Sequence, residues 1–132
     1  MRRLAAMTHD QVQEWLDSYL AAWASNDADD ISALFTDDVV YSYRPWIDDK
    51  VTVNGRDGVV SRWLENPDDP GAWEASYSPY AVDGNKAVAT GWSKYLATDD
   101  AKERLYHNAY LLEFDADGRC SSFREFWFLE GK

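Results

Sequence analysis

Glu125 is the residue of this chain whose setting most suggests chemistry. It stands between Phe123 and Trp127 in a period-two pattern that otherwise reads as core. A carboxyl among aromatic rings loses hydration, and desolvation raises its pKa toward the range that suits a general acid or base. The turn signal Asp115-Ala116-Asp117-Gly118 joins its strand to the preceding one as a hairpin. If Phe114 pairs with Arg119, then Tyr110 stands opposite Phe123, Asn108 opposite Glu125 and Tyr106 opposite Trp127, all on one sheet face. A β-bulge at the turn would exchange that set for the other face. Asn108 could orient the carboxyl or a ligand carbonyl. The plainer reading of Glu125 is a contact with a basic side chain or water at a cavity mouth. Tyr19 lies on an apolar helical stripe and is expected to send its hydroxyl into the same space. Its alternative is a core tyrosine bonded to a backbone carbonyl. Tyr41 and Tyr43 share one facing on a strand.

Other reactive types are poorly placed. The two histidines, His9 and His107, are far apart, and the single cysteine, Cys120, completes no metal-ligand spacing, so no metal site is expected. His107 falls on the face opposite Glu125, near Arg124 and Phe126. The acidic pairs, including Asp37-Asp38, Asp48-Asp49 and Asp68-Asp69, read as solvated turn and cap residues. No glycine-rich phosphate loop or nucleophile elbow appears. A net charge of −11 argues against nucleic acid and anionic membrane surfaces as partners. One cysteine precludes an internal disulfide, and no run suggests a leader or a membrane span, so a cytoplasmic protein is the default expectation.

The elements that must position these residues follow from periodicity. Thr8 and Gln11 form a capping-box signature, and Val12, Trp15, Leu16, Tyr19, Leu20 and Trp23 recur at helical spacing as far as Ser25-Asn26. A short second helix buries Ile31, Leu34 and Phe35 and is broken by Asp37-Asp38. A strand runs from Val39 to Tyr43, and Val51 to Val53 forms a short edge strand. Asn54-Gly55 opens a third helix with Val59, Val60, Trp63 and Leu64 on one face. Four strands then follow, over 72–82, 86–97, 104–114 and 119–129, with a second hairpin signal at Val82-Asp83-Gly84-Asn85. Helices first and a meander last imply an α+β fold, three helices against a strongly curved, mainly antiparallel sheet that encloses a cone. At 132 residues the chain makes one domain, with its core between about 8 and 129. Aromatic residues make up 15% of it, with seven Trp, eight Tyr and five Phe, and so many rings with polar tips point to a lined pocket.

This order, with Leu34-Phe35-Thr36-Asp37-Asp38-Val39-Val40-Tyr41, Asn54-Gly55-Arg56-Asp57 and Phe114-Asp115-Ala116-Asp117-Gly118-Arg119, resembles the nuclear-transport-factor-2-like superfamily and within it the small SnoaL-like proteins. The resemblance implies that the face bearing Glu125 is concave, and that homodimers form through the convex face carrying Arg124, Phe126 and Phe128. Ketosteroid isomerases of this superfamily use a helix-one tyrosine, a strand aspartate as base and a second aspartate as hydrogen-bond donor. The resemblance places those roles at Tyr19, Tyr43 and Tyr110. Two of the three groups are therefore tyrosines where the pattern has carboxyls, and tyrosine is a weak base at neutral pH. The steroid isomerase mechanism is not expected.

Three readings stand. One is an enzyme acting on a small, apolar, oxygenated compound by proton transfer without a cofactor, through isomerisation, cyclisation, dehydration or hydration. Glu125, Tyr19 and Tyr43 would then be catalytic, with Trp15, Trp63, Asn108, Tyr110, Phe123 and Trp127 around the ligand. The second is a non-catalytic binder using the same pocket. The third is a dimeric interaction module whose cavity is filled by Trp15, Trp63, Trp73 and Trp127. An open, partly polar cavity separates the first two from the third.

Overall fold

The computed structural model describes residues 6–43, 46 and 52–131. Thr8 caps α1 (His9–Ser25) through the full capping box with Gln11, and Asn26 closes it in the left-handed region at φ 51°. Asp27 caps α2 (Ala28–Ser32) by accepting from the backbone of Asp29 and Asp30. Then come β1 (Phe35–Ser42), β2 (Thr52–Asn54), α3 (Arg56–Glu65), a 3₁₀ turn at Pro70–Ala72, β3 (Trp73–Asp83), β4 (Lys86–Tyr95), β5 (Arg104–Phe114) and β6 (Cys120–Leu129). The sheet order is β2-β1-β6-β5-β4-β3, antiparallel throughout except where β1 runs parallel to β6. This is the α+β cone expected from the order of elements. Among the described residues no helix is long and apolar enough to cross a membrane.

The largest boundary difference from the sequence reading lies where α2 meets β1, and β3, β4 and β6 differ by one or two residues at their ends. Helix α2 ends at Ser32, so Phe35 is buried as the first residue of β1 rather than on a helix face. The reason is capture by the sheet: the Leu34 carbonyl accepts both the Cys120 amide (2.8 Å) and the Trp15 indole (3.0 Å), which pulls the chain out of helical geometry. Asp37 and Asp38 consequently lie inside β1, where its register with β6 slips between Phe35 and Val40, and Asp37 pairs with Arg56. The expected edge strand begins at Val51, and the pair Asp48-Asp49 and most of the loop around Trp46 also fall outside the described residues.

The second correction is register. Phe114 pairs with Cys120, not Arg119, and a bulge leaves Ser121 unpaired before Glu113 meets Ser122. Gly118 at φ 80° and the Asp115 carboxylate, which accepts the amides of Asp117 and Arg119, set this longer turn. Two one-residue offsets cancel in facing but add in register. Tyr110 therefore stands opposite Glu125, Asn108 opposite Trp127 and Tyr106 opposite Leu129. The facing set survives, with one sheet surface carrying Asn108, Tyr110, Phe123, Glu125 and Trp127.

On that surface Gly91 is paired with Tyr77 on one side and Asn108 on the other, and the neighbouring strand packs close against it. A Cβ built there would lie 1.9 Å from the Ser76 carbonyl oxygen and 2.7 Å from the Tyr77 ring. Gly91→Ala is accordingly expected to destabilise the protein by about 1–3 kcal/mol or more and to push Tyr77 out of place. A chemical denaturation midpoint equal to wild type would refute this account of the close approach.

Candidate active site

The cone interior is an aromatic box with two carboxyls on its walls, Glu125 and Asp68. Helix α1 supplies Tyr19, whose ring stacks on Phe123 at 5.6 Å and meets the edge of Trp63 at 5.5 Å. Strand β1 supplies Tyr41, stacked on Phe123 at 4.4 Å with planes 3° apart. Tyr77 of β3 and Tyr110 of β5 pack edge to face at 5.0 Å. The hydroxyls pair off, Tyr19 with Tyr41 and Tyr77 with Tyr110. Burial pushes the pKa of Tyr77 to about 12 and those of Tyr19, Tyr41 and Tyr110 further up. At neutral pH these four groups are uncharged O–H donors and cannot act as bases.

They surround an inner chamber of about 440 Å³, on whose wall Glu125 also lies. An outer chamber of about 410 Å³ adjoins it, bounded by Arg104, Tyr106, Asn108 and Trp127. Tyr43, Asp68, Ser93, Tyr95 and Glu125 border both, so the Glu125 carboxyl stands at the threshold between them. Trp46 stacks on Phe126 and meets the edge of Trp127, next to the outer chamber. Burial pushes the Glu125 carboxyl up to about 7, and the Asn108 amide, donating to Oε2 at 3.0 Å, holds back part of that rise. Among the described residues it has no ion-pair partner. A carboxyl that changes charge near neutrality, set among neutral hydroxyl donors, can move a proton while its neighbours hold an oxygen.

The structure gathers most of the residues singled out from the sequence. Tyr19, Tyr43, Trp63, Tyr110 and Glu125 border the inner chamber, and Asn108 and Trp127 border the outer one. The Tyr43 hydroxyl accepts from Arg62 at 2.6 Å. Phe123 stands behind Tyr19 and Tyr41 rather than on the chamber wall. Trp15 is a correction: its indole is tied to the Leu34 carbonyl and its ring packs on Phe35 and Phe114, facing away from the chambers. It borders instead a groove of about 600 Å³ between α1 and the β5–β6 turn, which Glu14, Asp30, Asp115 and Arg119 also line. Asp68 is a second correction, since it is half-buried, lines both chambers and accepts the Trp23 indole at 2.9 Å, whereas Asp69 does cap the 3₁₀ turn. Sequence reading passed over Ser93 and Arg62. Ser93 was within reach, because it alternates with Tyr95 on the concave face of β4. His107 lies on the convex face and pairs with Glu130 at 2.9 Å.

Comparison with known proteins agrees with the fold. The model of the SnoaL-like domain family matches residues 16–123. Among solved structures the chain is similar to a provisionally assigned isomerase from Bacillus subtilis, with TM-score 0.70, 15% identity and coverage of 92% of this chain and 90% of that one. It is also similar to an LEH-like epoxide hydrolase from M. tuberculosis (0.66, 16%, 91% and 84%). A third is an NTF-2 like protein of unknown function from Burkholderia xenovorans (0.65, 17%, 89% and 83%). At these identities the likeness concerns the fold alone. A search of curated proteins finds no match.

Proposed function

Because the chain belongs to the SnoaL-like domain family, whose fold hosts many chemistries, we propose from its site that it is a proton-transfer catalyst acting on a small, apolar, oxygenated molecule. The observation that carries this reading is Glu125, a carboxyl with a pKa near 7 on the wall shared by two chambers. The neutral tyrosine hydroxyls around it would bind a carbonyl, hydroxyl or epoxide oxygen, and the ring faces would bind the carbon frame. In the protonated form Glu125 gives its proton to that oxygen. In the ionised form it takes a proton from carbon or from water entering through the outer chamber. Each half-reaction restores the other form, so the proton balance closes on one side chain without a cofactor.

Cavity volume favours this reading over a filled interaction module, because Trp63 and Trp127 border open space instead of occupying it. Thermal-shift screening with small epoxides, enones and hydroxyketones should find stabilising ligands, and turnover of a hit should titrate with a midpoint near pH 7. Ligands that stabilise the protein but are never converted would assign the chain to the binder class instead.

The expected homodimer belongs here as well. Phe128 is 58% exposed on the convex face, on the same side of β6 as half-buried Phe126. A second copy covering this face would remove those rings from water. Light scattering at micromolar concentration should give twice the mass of 15.1 kDa, and a monomeric mass would refute the dimer.

A further inference from the structure

Ser93 is buried at 5% exposure on β4 and has no role in the reading above, yet it reaches Glu125 through a single intermediary. Its hydroxyl donates to Asn108 Oδ1 at 3.0 Å, and Asn108 Nδ2 donates to Glu125 Oε2 at 3.0 Å. We propose that Ser93 is a positioning residue: it holds the Asn108 side chain with its NH₂ toward Glu125, and so decides which form of the carboxyl the site supports. This rests on the reading of Glu125 as the proton carrier.

The argument is one of donors and acceptors. An amide has one acceptor end and one donor end, and only its donor end stabilises a carboxylate. Turned around, the same amide would present its oxygen to Glu125 and support the protonated acid. What keeps it from turning is the serine proton. A hydroxyl has a single proton, and Ser93 gives it to Asn108 Oδ1, so the acceptor end of the amide is held on β4 and its donor end is left for Glu125.

The other groups facing Glu125 stay in place when Ser93 changes. From α1, β1 and the residue that follows β1 these are Tyr19, Tyr41 and Tyr43, and from α3 and the loop after it Arg62 and Asp68. From β3, β4 and β5 they are Tyr77, Tyr95, Arg104, Tyr106 and Tyr110. A serine substitution removes no charge from this set, and comparing variants of equal shape with and without the hydroxyl separates the amide's effect from a change in desolvation.

The test is an NMR titration of the intact protein labelled with ¹³C at glutamate carboxyls, Glu125 being assigned by its loss in Glu125→Gln. Ser93→Val and Ser93→Thr have nearly the same shape and differ by the hydroxyl, and Ser93→Ala gives a smaller control. Loss of the hydroxyl in Ser93→Val and Ser93→Ala is expected to raise the Glu125 midpoint by about one pH unit, a tenfold change in proton affinity. Ser93→Thr is expected to restore it. A midpoint that stays put or falls in both hydroxyl-free variants overturns the proposal, as does a midpoint equally raised in Ser93→Thr. If instead wild-type Glu125 titrates in the ordinary carboxylate range, it is the proton-carrier reading that fails. If Ser93→Ala does not fold, the Val and Thr pair decides by itself.

Discussion

Glu125→Gln is expected to lower turnover by about two to four orders of magnitude while making the folded protein more stable at alkaline pH. The two effects have one origin. Glutamine keeps the shape and can still accept from Asn108 Nδ2, but it carries no transferable proton. In the wild type, burial raises the folded-state pKa to about 7 from an ordinary 4.5. Below pH 4.5 the carboxyl is protonated whether the chain is folded or not, and burial exacts no ionic penalty. Between pH 4.5 and 7 the unfolded chain releases this proton while the folded protein retains it, so stability falls as pH rises. Above pH 7 the penalty is complete and levels off at no more than about 3 kcal/mol.

The variant lacks this slope. Urea denaturation of both proteins should therefore show similar stability at pH 4 and a gap favouring glutamine at pH 8. Every other titrating group is common to the two and drops out of the difference. A parallel pH dependence would mean that Glu125 is not held out of water. Unchanged turnover on a confirmed substrate would remove it from the mechanism.

Phe123→Ala should have the largest effect on stability. The ring is 1% exposed and is shared by five others. It stacks on Tyr41 and Tyr19 and contacts Tyr110 at 5.1 Å, Phe35 at 6.4 Å and Trp15 at 6.3 Å. Truncation removes its buried area and leaves a cavity between helix α1 and the sheet that rigid aromatic neighbours cannot close. A loss of about 3–5 kcal/mol follows, a large share of the roughly 5–15 kcal/mol that holds a domain together. The loss should be visible as a lowered denaturation midpoint with the slope preserved. It should also loosen Tyr19 and Tyr41, whose hydroxyl pair depends on that ring behind them, and so weaken any ligand found by thermal shift. A change below about 1 kcal/mol would show that the tyrosine wall is supported elsewhere.

These two residues also mark how far sequence could be read. Their strand alternates strictly, so Phe123, Glu125 and Trp127 were assignable to one face before any fold was known. Tyr19 was assignable likewise from the helical stripe of α1. Both periodicities are properties of a single element. Register is not. Asn108 was expected opposite Glu125, but the Asp115–Arg119 turn and the bulge at Ser121 shift the pair by two residues, and Asn108 reaches the carboxyl on the diagonal. A facing assignment tolerates a two-residue slip, because a strand repeats every two residues.

What the chain determines by local chemistry is therefore the list of elements, their inner faces and the presence of one acid among rings, the feature that gave Glu125 its interest. What only the tertiary structure decided is which of those inner faces meet. Trp15 and Tyr19 occupy the same helical stripe, but Trp15 is drawn to the Leu34 carbonyl and Tyr19 to the chamber, because β1 leaves α2 early to pair with β6. Ser93 entered the site through long-range pairing of β4 with β5, and Asp68 through the Trp23 indole. Each of these contacts joins residues far apart in the chain, and no local periodicity encodes such a distance.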